Sequence, residues 1–329
     1  MIICQAPLRV SFLGGGTDYP EHFLRHGGAA LSTTIDRYCI VSVHPLTSFV
    51  DYRFRIHYSK VESASSVDEI QHPSARECLR FLGIEGGVEI HYLNDLPART
   101  GLGSSSSATV ALLMALHAFR GRMVSRERVA AEAVHVEREL IRERVGFQDQ
   151  YAAAFGGFLH MQFGKNGSVD VRPVVLKEER IRELRRHLLL LYTGFQRTAH
   201  EILEEQVERT RSGSLAGELL KLGDLVAKGV DALASERPLG DFGGLLHEGW
   251  LIKRGLSSRI TDEKIDDCYR RAREAGAIGG KLLGAGGGGF LLLLAPPERH
   301  GTVIAALPEL KPVGFDFSAE GCRTIFYRS

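Results

Sequence analysis

The chain lacks the cysteine pattern of a disulfide-stapled or zinc-binding protein. Its 329 residues include five cysteines, which are scattered, odd in number and never spaced as Cys-x-x-Cys. A disulfide framework and a zinc cluster are therefore both disfavoured. The expected compartment is the reducing cytoplasm.

Long apolar runs and a surplus of one charge are also missing. No stretch approaches about 18 consecutive apolar residues, and the N-terminus has no basic region leading into an apolar segment, so we expect no membrane association or export. The 41 Lys and Arg residues balance 40 Asp and Glu residues, which gives no overall field for nucleic acid. The expected partners are small molecules, and the sequence is compatible with a homodimer.

Length and the order of elements predict an α+β protein of two domains. Alternating and β-branched segments predict strands at about 2–12, 29–44, 88–94, 158–163, 169–176 and 188–192. Helices are predicted at 75–82, after the loop at 97–108, at 125–144, across most of 198–258 with breaks at 212–214 and 237–244, and at 262–275. The boundary falls between 175 and 187, which gives domains 1–180 and 181–329.

The most informative segment is Pro97–Ala108, which reads PARTGLGSSSSA. A glycine-punctuated loop that enters a helix presents backbone N–H groups and the helix dipole to an anion, and the serine hydroxyls can bind phosphate or Mg²⁺. The alternative is a flexible serine-rich linker. The following run, ATVALLMALHAF, has apolar residues at helical spacing and argues against that alternative.

Two further glycine clusters are predicted to meet this loop in space. Gly14–Tyr19 places Asp18 among small residues, and Gly284–Gly289 lies between apolar segments, as expected where two backbones or a ligand approach closely. The alternatives are a local turn cap for Asp18 and a plain turn between strands for the later cluster.

Familiar nucleotide and metal motifs do not fit. No lysine follows Gly103, as Walker A requires, and Ser106 stands where a dinucleotide fingerprint needs its third glycine. His135 and Glu137 resemble part of a zinc deaminase signature, but the matching Pro-Cys-x-x-Cys is absent. We therefore discard a metal-hydroxide mechanism.

Two carboxylates stand out by their position. On the helix predicted from an N-cap at Ser125, Glu137 shares the apolar face with Ala130 and Ala133, and a buried carboxylate there needs a metal ion or a cation. An ordinary Glu–Arg pair remains the alternative. Asp149 enters an apolar helical start, where it is also explained as an N-terminal cap.

In order and spacing, the glycine clusters resemble the three motifs of the GHMP small-molecule kinase superfamily. The matching segments look most like those of bacterial D-glycero-D-manno-heptose 7-phosphate kinases: APLRVSFLGGGTDYP at 6–20, GLGSSSSA at 101–108, GFQDQYAAAFGG at 146–157 and KLLGAGGGGF at 281–290. The resemblance implies an N-terminal domain like ribosomal protein S5 domain 2 and a ferredoxin-like C-terminal domain. ATP and a sugar would bind between them.

The resemblance also implies site residues. It gives Asp149 as catalytic base and Arg9 as the neighbouring cation, and the residues alone leave open whether Asp149 takes a proton or only orients a hydroxyl. The implied triphosphate loop consists of Gly101, Leu102, Gly103, Ser104, Ser105, Ser106 and Ser107. The implied Mg²⁺ ligands are Ser105 and Glu137. The implied substrate residues are Gly15, Gly16, Thr17, Asp18, Gly286 and Gly287.

One departure from the family pattern narrows the choice of sugar that could accept the phosphoryl group. Galactokinases carry Glu-His before the Thr-Asp-Tyr, whereas this chain has Gly15-Gly16, so galactose is disfavoured. A sugar 7-phosphate demands a second anion site, for which Arg197 is the candidate; an exposed arginine at a helix start is the alternative.

The expected reaction is ATP-dependent phosphorylation of the anomeric C1 hydroxyl of the heptose 7-phosphate to the 1,7-bisphosphate, for nucleotide-activated heptose. The alternatives are another GHMP sugar kinase, of fucokinase or galactokinase type, and a non-catalytic sugar and nucleotide sensor. Retention of Ser105, Glu137 and Asp149 together favours an enzyme.

Overall fold

Two β-sheets organise the chain in the computed structural model, which describes residues 1–47, 49–98, 100–194 and 199–328. The strands are β1 (Ile2–Leu13), β2 (Gly28–Pro45), β3 (Phe54–His57), β4 (Val61–Ala64), β5 (Val88–Asn94), β6 (Phe158–Phe163), β7 (Val169–Pro173), β8 (Leu188–Tyr192), β9 (Gly279–Leu282), β10 (Phe290–Leu294), β11 (Lys311–Pro312), β12 (Phe317–Ser318) and β13 (Arg323–Tyr327).

Eleven α-helices are present in the described residues. They are α1 (Pro20–His26), α2 (Pro73–Phe81), α3 (Ser104–Phe119), α4 (Arg126–His135), α5 (Gln148–Phe155), α6 (Glu178–His187), α7 (Ala199–Arg211), α8 (Ala216–Ala234), α9 (Leu239–Lys253), α10 (Glu263–Glu274) and α11 (His300–Ala305). A π-helical turn, Val136–Leu140, extends α4, and short 3₁₀ turns lie at Val67–Glu69 and Pro297–Arg299.

The first sheet has the order β13-β1-β2-β5-β3-β4, with β6 and β12 also paired to β2 and β7 paired to β6. Burial alternates along β3, the start of β5 and the second half of β2, as in a sheet covered on one side. Val41, Val43, Ile56 and Ile90 are fully buried and share a core with residues of α2 and α3. The intervening residues of these strands lie on the opposite face. The triphosphate loop predicted from the sequence therefore leaves β5 and enters α3 on the helix-covered side.

The second sheet, β11-β8-β10-β9, is antiparallel and its central strand β10 is buried at every residue. Continuous burial explains why this strand reads as the uninterrupted run FLLLL. Trp250 on α9 is fully buried in the core that includes β8 and β10. The structure thus has the mixed α+β architecture predicted from the sequence.

The chain returns to the first sheet at its end, because β12 pairs with β2 and β13 pairs with β1. The second sheet is thus an excursion between strands of the first. The domain boundary at 180/181 stays a prediction. By strand pairing, residues 317–327 belong to the first sheet.

Three segments differ from the predicted elements. The helix predicted over 125–144 begins at the predicted N-cap Ser125 but changes to a π turn after His135, because the Ile141 N–H donates to the carbonyl of Val136, five residues back, at 2.9 Å. The predicted boundary region contains α6, whose apolar positions are too few for a clear period. The break predicted at 237–244 is shorter, since α9 begins at Leu239.

All five cysteines are buried free thiols. Among the described residues, no helix combines the length and apolarity needed to cross a membrane.

Candidate active site

The loop at 97–108 and the glycine cluster Gly284–Gly289 touch backbone to backbone. Gly101 has a φ of +89°, and a Cβ placed there would lie 2.4 Å from the carbonyl oxygen of Leu283. A Cβ on Gly284 would lie 2.3 Å from the Cα of Gly101. Neither contact distance is possible for a side chain, so glycine is required for the two loops to meet as the sequence predicted.

Helix α3 starts beside this contact. Gly103, the N-cap, has left-handed φ and ψ of 74° and 18° and makes no side-chain capping bond. The first turn also contains no acidic residue that would repel an anion. The backbone N–H groups of this turn and the positive end of the helix dipole therefore converge where a phosphate would sit.

The four serines of this turn face different surroundings. The Ser107 hydroxyl donates to the carbonyl of Pro7 at 2.8 Å, which ties α3 to β1. The Ser106 hydroxyl donates to Oε2 of Glu137 at 2.8 Å. Ser105 is exposed, and Ser104 is buried. The structure thus brings Ser106, rather than the predicted Ser105, to Glu137.

Glu137 is a buried carboxylate with one orphaned oxygen. Its side chain lies in the π turn and is 1% exposed; Oε2 accepts from Ser106 and, at 2.5 Å, from Nε2 of Gln150, whereas Oε1 is buried without a hydrogen-bond partner. Burial raises the pKa of Glu137 to about 7, although the side chains of Gln150, Thr109 and Ser106 beside it lower the pKa. No cation pairs with it among the described ion pairs, so the alternative of a Glu–Arg bridge is not what the structure shows.

Oxygen ligands and an unsatisfied buried carboxylate oxygen fit a hard divalent cation such as Mg²⁺. The residues that would hold it are Glu137 and Ser106.

We predict that Ser106→Ala raises the Mg²⁺ concentration for half-maximal activity at least about tenfold, because it removes a hydroxyl beside the orphaned oxygen. Ser105→Ala is the matched control, one residue away on the same turn, and should shift it less than about twofold. Activity titrations with Mg²⁺ at fixed ATP measure both. The reverse ranking would restore Ser105 as the ligand.

Arg9 and Asp149 form a bidentate pair beside the triphosphate loop. Nε and Nη2 of Arg9 donate to Oδ1 and Oδ2 of Asp149, both at 2.8 Å, and Nη1 donates to the carbonyl oxygen of Gly101 at 2.6 Å. Asp149 is in the first turn of α5, but the N-cap is Phe147, so the capping alternative does not describe its position. A Cβ on Gly103 would lie 3.4 Å from Oδ2 of Asp149, which places this carboxylate at the start of α3.

Asp18 holds its own turn and the start of α5. Its Oδ1 accepts from the N–H of Gly16 at 3.0 Å and its Oδ2 from the N–H of Gln148 at 3.1 Å. Burial, followed by the negative charge of Asp149, raises the pKa of Asp18. The alternative that Asp18 is a local cap is therefore supported by its contacts, and its sugar-binding role stays a prediction.

The other residues predicted to bind substrate are held in place mainly by contacts with the backbone. The Thr17 hydroxyl donates to the carbonyls of Gly14 and Ala29, so it is committed to the loop. The Gly287 N–H donates to the carbonyl of Ile260 at 2.8 Å, and Gly286 packs on the same residue. Gly15 and Gly16 face Ser11, Gln148 and Gln206, among others. Arg197 lies outside the described residues.

Two buried lysines, neither of them predicted as a site residue, lie between the glycine clusters Gly14–Tyr19 and Gly284–Gly289. Lys253 Nζ donates to the carbonyl of Gly284 at 2.5 Å, and Lys281 Nζ to that of Phe12 at 3.0 Å. Burial, then the charge of Arg9, lowers the pKa of Lys253 to about 8; burial, then Lys253 and Arg9, lowers that of Lys281 strongly. Lys253 could have been singled out in the sequence because it lies three residues after Trp250, on the apolar face of α9.

Phosphoryl transfer from a nucleotide to a small acceptor is the chemistry that an open helix N-terminus, a divalent-cation carboxylate and a fixed second carboxylate serve together. The site is therefore that of a small-molecule kinase. The GHMP kinases N terminal domain matches residues 71–157, and the GHMP kinases C terminal domain matches residues 230–312. The chain belongs to the GHMP kinase family and is an ATP-dependent kinase.

Several members of the family are similar over nearly the whole chain. The D-glycero-alpha-D-manno-heptose 7-phosphate kinase of Campylobacter jejuni is 30% identical, with 97% of both chains covered. A mevalonate kinase of Aeropyrum pernix is 28% identical over 86% of this chain and 85% of its own. The crystal structure of a D-glycero-D-manno-heptose 1-phosphate kinase from Bacteroides thetaiotaomicron superposes with a TM-score of 0.81 at 25% identity, covering 100% of both chains.

Proposed function

We propose that this kinase transfers the γ-phosphoryl group of ATP to the anomeric C1 hydroxyl of D-glycero-D-manno-heptose 7-phosphate. The product would be the 1,7-bisphosphate, a precursor of nucleotide-activated heptose. The carrying observation is the Asp149 carboxylate, which Arg9 holds by two hydrogen bonds beside the N-terminus of α3. The similarity to a heptose 7-phosphate kinase along 97% of both chains supports the choice of sugar.

Each residue has a defined part in this proposal. The N–H groups at 101–106 would bind the phosphates, whereas that of Ser107 already donates to the carbonyl of Gly103 at 2.9 Å. Asp149 accepts the hydrogen bond of the C1 hydroxyl so that its oxygen is aligned with the γ-phosphorus. The bond from that oxygen to phosphorus forms as the bond to the β–γ bridging oxygen breaks, and the hydroxyl proton leaves toward Asp149. A Mg²⁺ ion held by Glu137 and Ser106 would neutralise charge on the transferring phosphate.

Arg9 orients the Asp149 carboxylate and is also hydrogen-bonded to the loop that would hold the nucleotide. Its third donor reaches the carbonyl of Gly101, so one guanidinium connects Asp149 to the loop that would hold the donor. A lysine has no planar fork and could not make the same two parallel bonds together with the third. We propose that this connection sets the distance between the acceptor oxygen and the phosphate.

The remaining substrate contacts are also proposals. Asp18, Thr17, Gly15 and Gly16 would border the sugar, and Gly286 and Gly287 would close over it. Arg197 remains the candidate for the 7-phosphate. We place the reaction in the cytoplasm, where buried free thiols such as this chain's five cysteines persist. Domains 1–180 and 181–329 and a homodimer stay predictions.

The names of the similar proteins leave two acceptors to compare. One relative is a heptose 7-phosphate kinase, and the structural neighbour is titled a heptose 1-phosphate kinase. A 1-phosphate has its anomeric oxygen already esterified and would need another hydroxyl as acceptor. The test must therefore offer both sugar phosphates.

The deciding experiment measures ADP release with heptose 7-phosphate, heptose 1-phosphate, L-fucose, D-galactose and mevalonate. We expect the highest kcat/KM with the 7-phosphate and a new anomeric phosphate signal by phosphorus NMR. Arg197→Ala should raise KM for the 7-phosphate while KM for ATP is unchanged. Preference for another acceptor refutes the proposed substrate, and sugar binding without ADP release would indicate a sensor.

A further inference from the structure

A cluster of metal-ligating side chains lies on the face of the first sheet opposite the packed helices. Strands β3 and β5 run parallel, with His57 directly beside His91 and Arg55 beside Glu89. Their neighbours Ile56 and Ile90 are fully buried in the core under α2 and α3. Since side chains alternate along a strand, His57, Glu89 and His91 all project from the other face.

Both histidines aim the same ring nitrogen at one carboxylate oxygen. Nε2 of His57 lies 2.9 Å from Oε1 of Glu89, and Nε2 of His91 lies 3.0 Å from the same atom. The two rings are stacked with centroids 4.0 Å apart and planes 9° apart. The His57 nitrogen is buried yet has no aligned hydrogen-bond partner, despite its short distance to the carboxylate.

These distances are close to those of a metal site. One ligand atom from each residue lies within 4.8 Å of the others. When Zn²⁺ binds nitrogen and oxygen at about 2.0–2.2 Å in a tetrahedron, neighbouring ligand atoms are about 3.3–3.5 Å apart. To bind one ion, the two carboxylate-to-nitrogen distances must open by a few tenths of an ångström. The stacked rings must also rotate until their Nε2 lone pairs converge, because two parallel imidazoles cannot both meet one ion in their ring planes.

We propose that His57, Glu89 and His91 form a binding site for a divalent transition metal of the Zn²⁺ type. Two imidazole nitrogens and one carboxylate are a ligand set for this class, whereas Mg²⁺ prefers oxygen ligands alone. The site is separate from the carboxylate proposed for the kinase cation, Glu137. This inference does not depend on the proposed sugar substrate.

The surroundings define the fourth position and the competing charges. His44 of β2 pairs directly with Glu89, and its ring centroid is 5.7 Å from that of His91, so either His44 or water completes the tetrahedron. Arg55 is the cation that could compete with a metal ion for Glu89. The described ion pairs of Glu89, however, are with His57 and His91.

A bound ion would tie together two neighbouring strands, β3 and β5, one strand in from the edge of the first sheet. Strand β3 is held between β5 and the short edge strand β4, so the ion would link residues 34 positions apart in the sequence, His57 and His91. It would act as a structural clamp on the β3–β4 hairpin. We therefore expect Zn²⁺ to raise the thermal midpoint without being required for phosphoryl transfer.

The test is calorimetric titration of the full chain, stripped of metal by a chelator, with Zn²⁺. We expect one ion per chain at this site. His57→Ala and His91→Ala should each raise Kd at least about tenfold, the lower end of the effect of losing even an outer partner of a metal site. The matched control is His135→Ala, which removes an exposed histidine on α4. The five cysteines are buried and do not compete.

A second set of measurements keeps the outcome clear if an alanine variant folds poorly. Glu89→Gln retains the shape of the side chain and should weaken Zn²⁺ binding by a similar factor, and Co²⁺ should give the absorption of a four-coordinate site in the parent only. Activity with Mg²⁺ and ATP should be equal in all variants. Absence of stoichiometric Zn²⁺ binding, or equal binding by the double variant of His57 and His91, overturns the proposal.

Discussion

Asp149→Asn should lower kcat by about 10²–10⁴-fold, the range for removal of a group that accepts or positions a proton. The amide keeps the size of the carboxylate but loses its charge, and its NH₂ group would face a guanidinium nitrogen of Arg9 where an oxygen now accepts at 2.8 Å. The acceptor hydroxyl would lose its anionic partner. Affinity for ATP should be nearly unchanged, because the N–H groups of the α3 turn remain in place.

The matched control is Asp241→Asn, since Asp241 is an exposed aspartate in the first turn of α9 and experiences a similar helix dipole. Steady-state kinetics give kcat, and calorimetry gives the Kd for ATP. A variant of Asp149 with near-normal kcat would contradict the assignment. A collapse of ATP affinity together with kcat would show that the charge acts mainly by holding Arg9 against the loop.

The sequence predicted the components of the site better than their partners. The meeting of Gly101 with Gly284 was expected from the three glycine clusters and the family resemblance. Which serine reaches Glu137 could not be expected, because it depends on how α3 packs against the turn that carries Glu137. The hydroxyl of Ser106 makes that contact, whereas the resemblance implied Ser105 as the Mg²⁺ ligand.

Long-range contacts were equally inaccessible to local patterns. Lys253 and Lys281 bond to carbonyls 31 and 269 positions away in the sequence, and a lysine in an apolar phase does not announce its acceptor. The histidine cluster arises because β3 and β5 pair in parallel, a register that no short motif encodes. Tertiary packing creates the lysine contacts and strand pairing creates the histidine cluster, and local propensity encodes neither.

Glu137→Gln should separate stability from activity. We expect kcat to fall by about 100-fold, the scale for losing one group that manages charge in the transition state, with a large rise in the Mg²⁺ requirement. The buried Oε1 would no longer offer a negative charge to the ion. Titration of activity with Mg²⁺ measures this, and an unchanged Mg²⁺ requirement would contradict the role of Glu137 as a ligand.

The same substitution should stabilise the metal-free protein at pH 8. Burial raises the pKa of Glu137 from 4.5 to about 7, so this group favours folding most below pH 4.5, and that contribution is lost as the pH rises through about 7. The amide avoids the buried charge, and at 1.36 kcal/mol per pKa unit the gain is on the order of 3 kcal/mol at pH 8. Denaturant unfolding in a chelator measures it, and Mg²⁺ should stabilise only the parent.

Glu132→Gln provides a control of opposite sign on the same helix. Although burial raises the pKa of Glu132, the hydrogen bonds from His117 and Arg128 lower it overall, so this charge stabilises the fold above pH 4.5 and its removal should destabilise at pH 8. Equal shifts for the two variants would show that the orphaned oxygen of Glu137 carries no desolvation cost. Opposite shifts would mean that the fold maintains an unfavourable charge where a cation is needed.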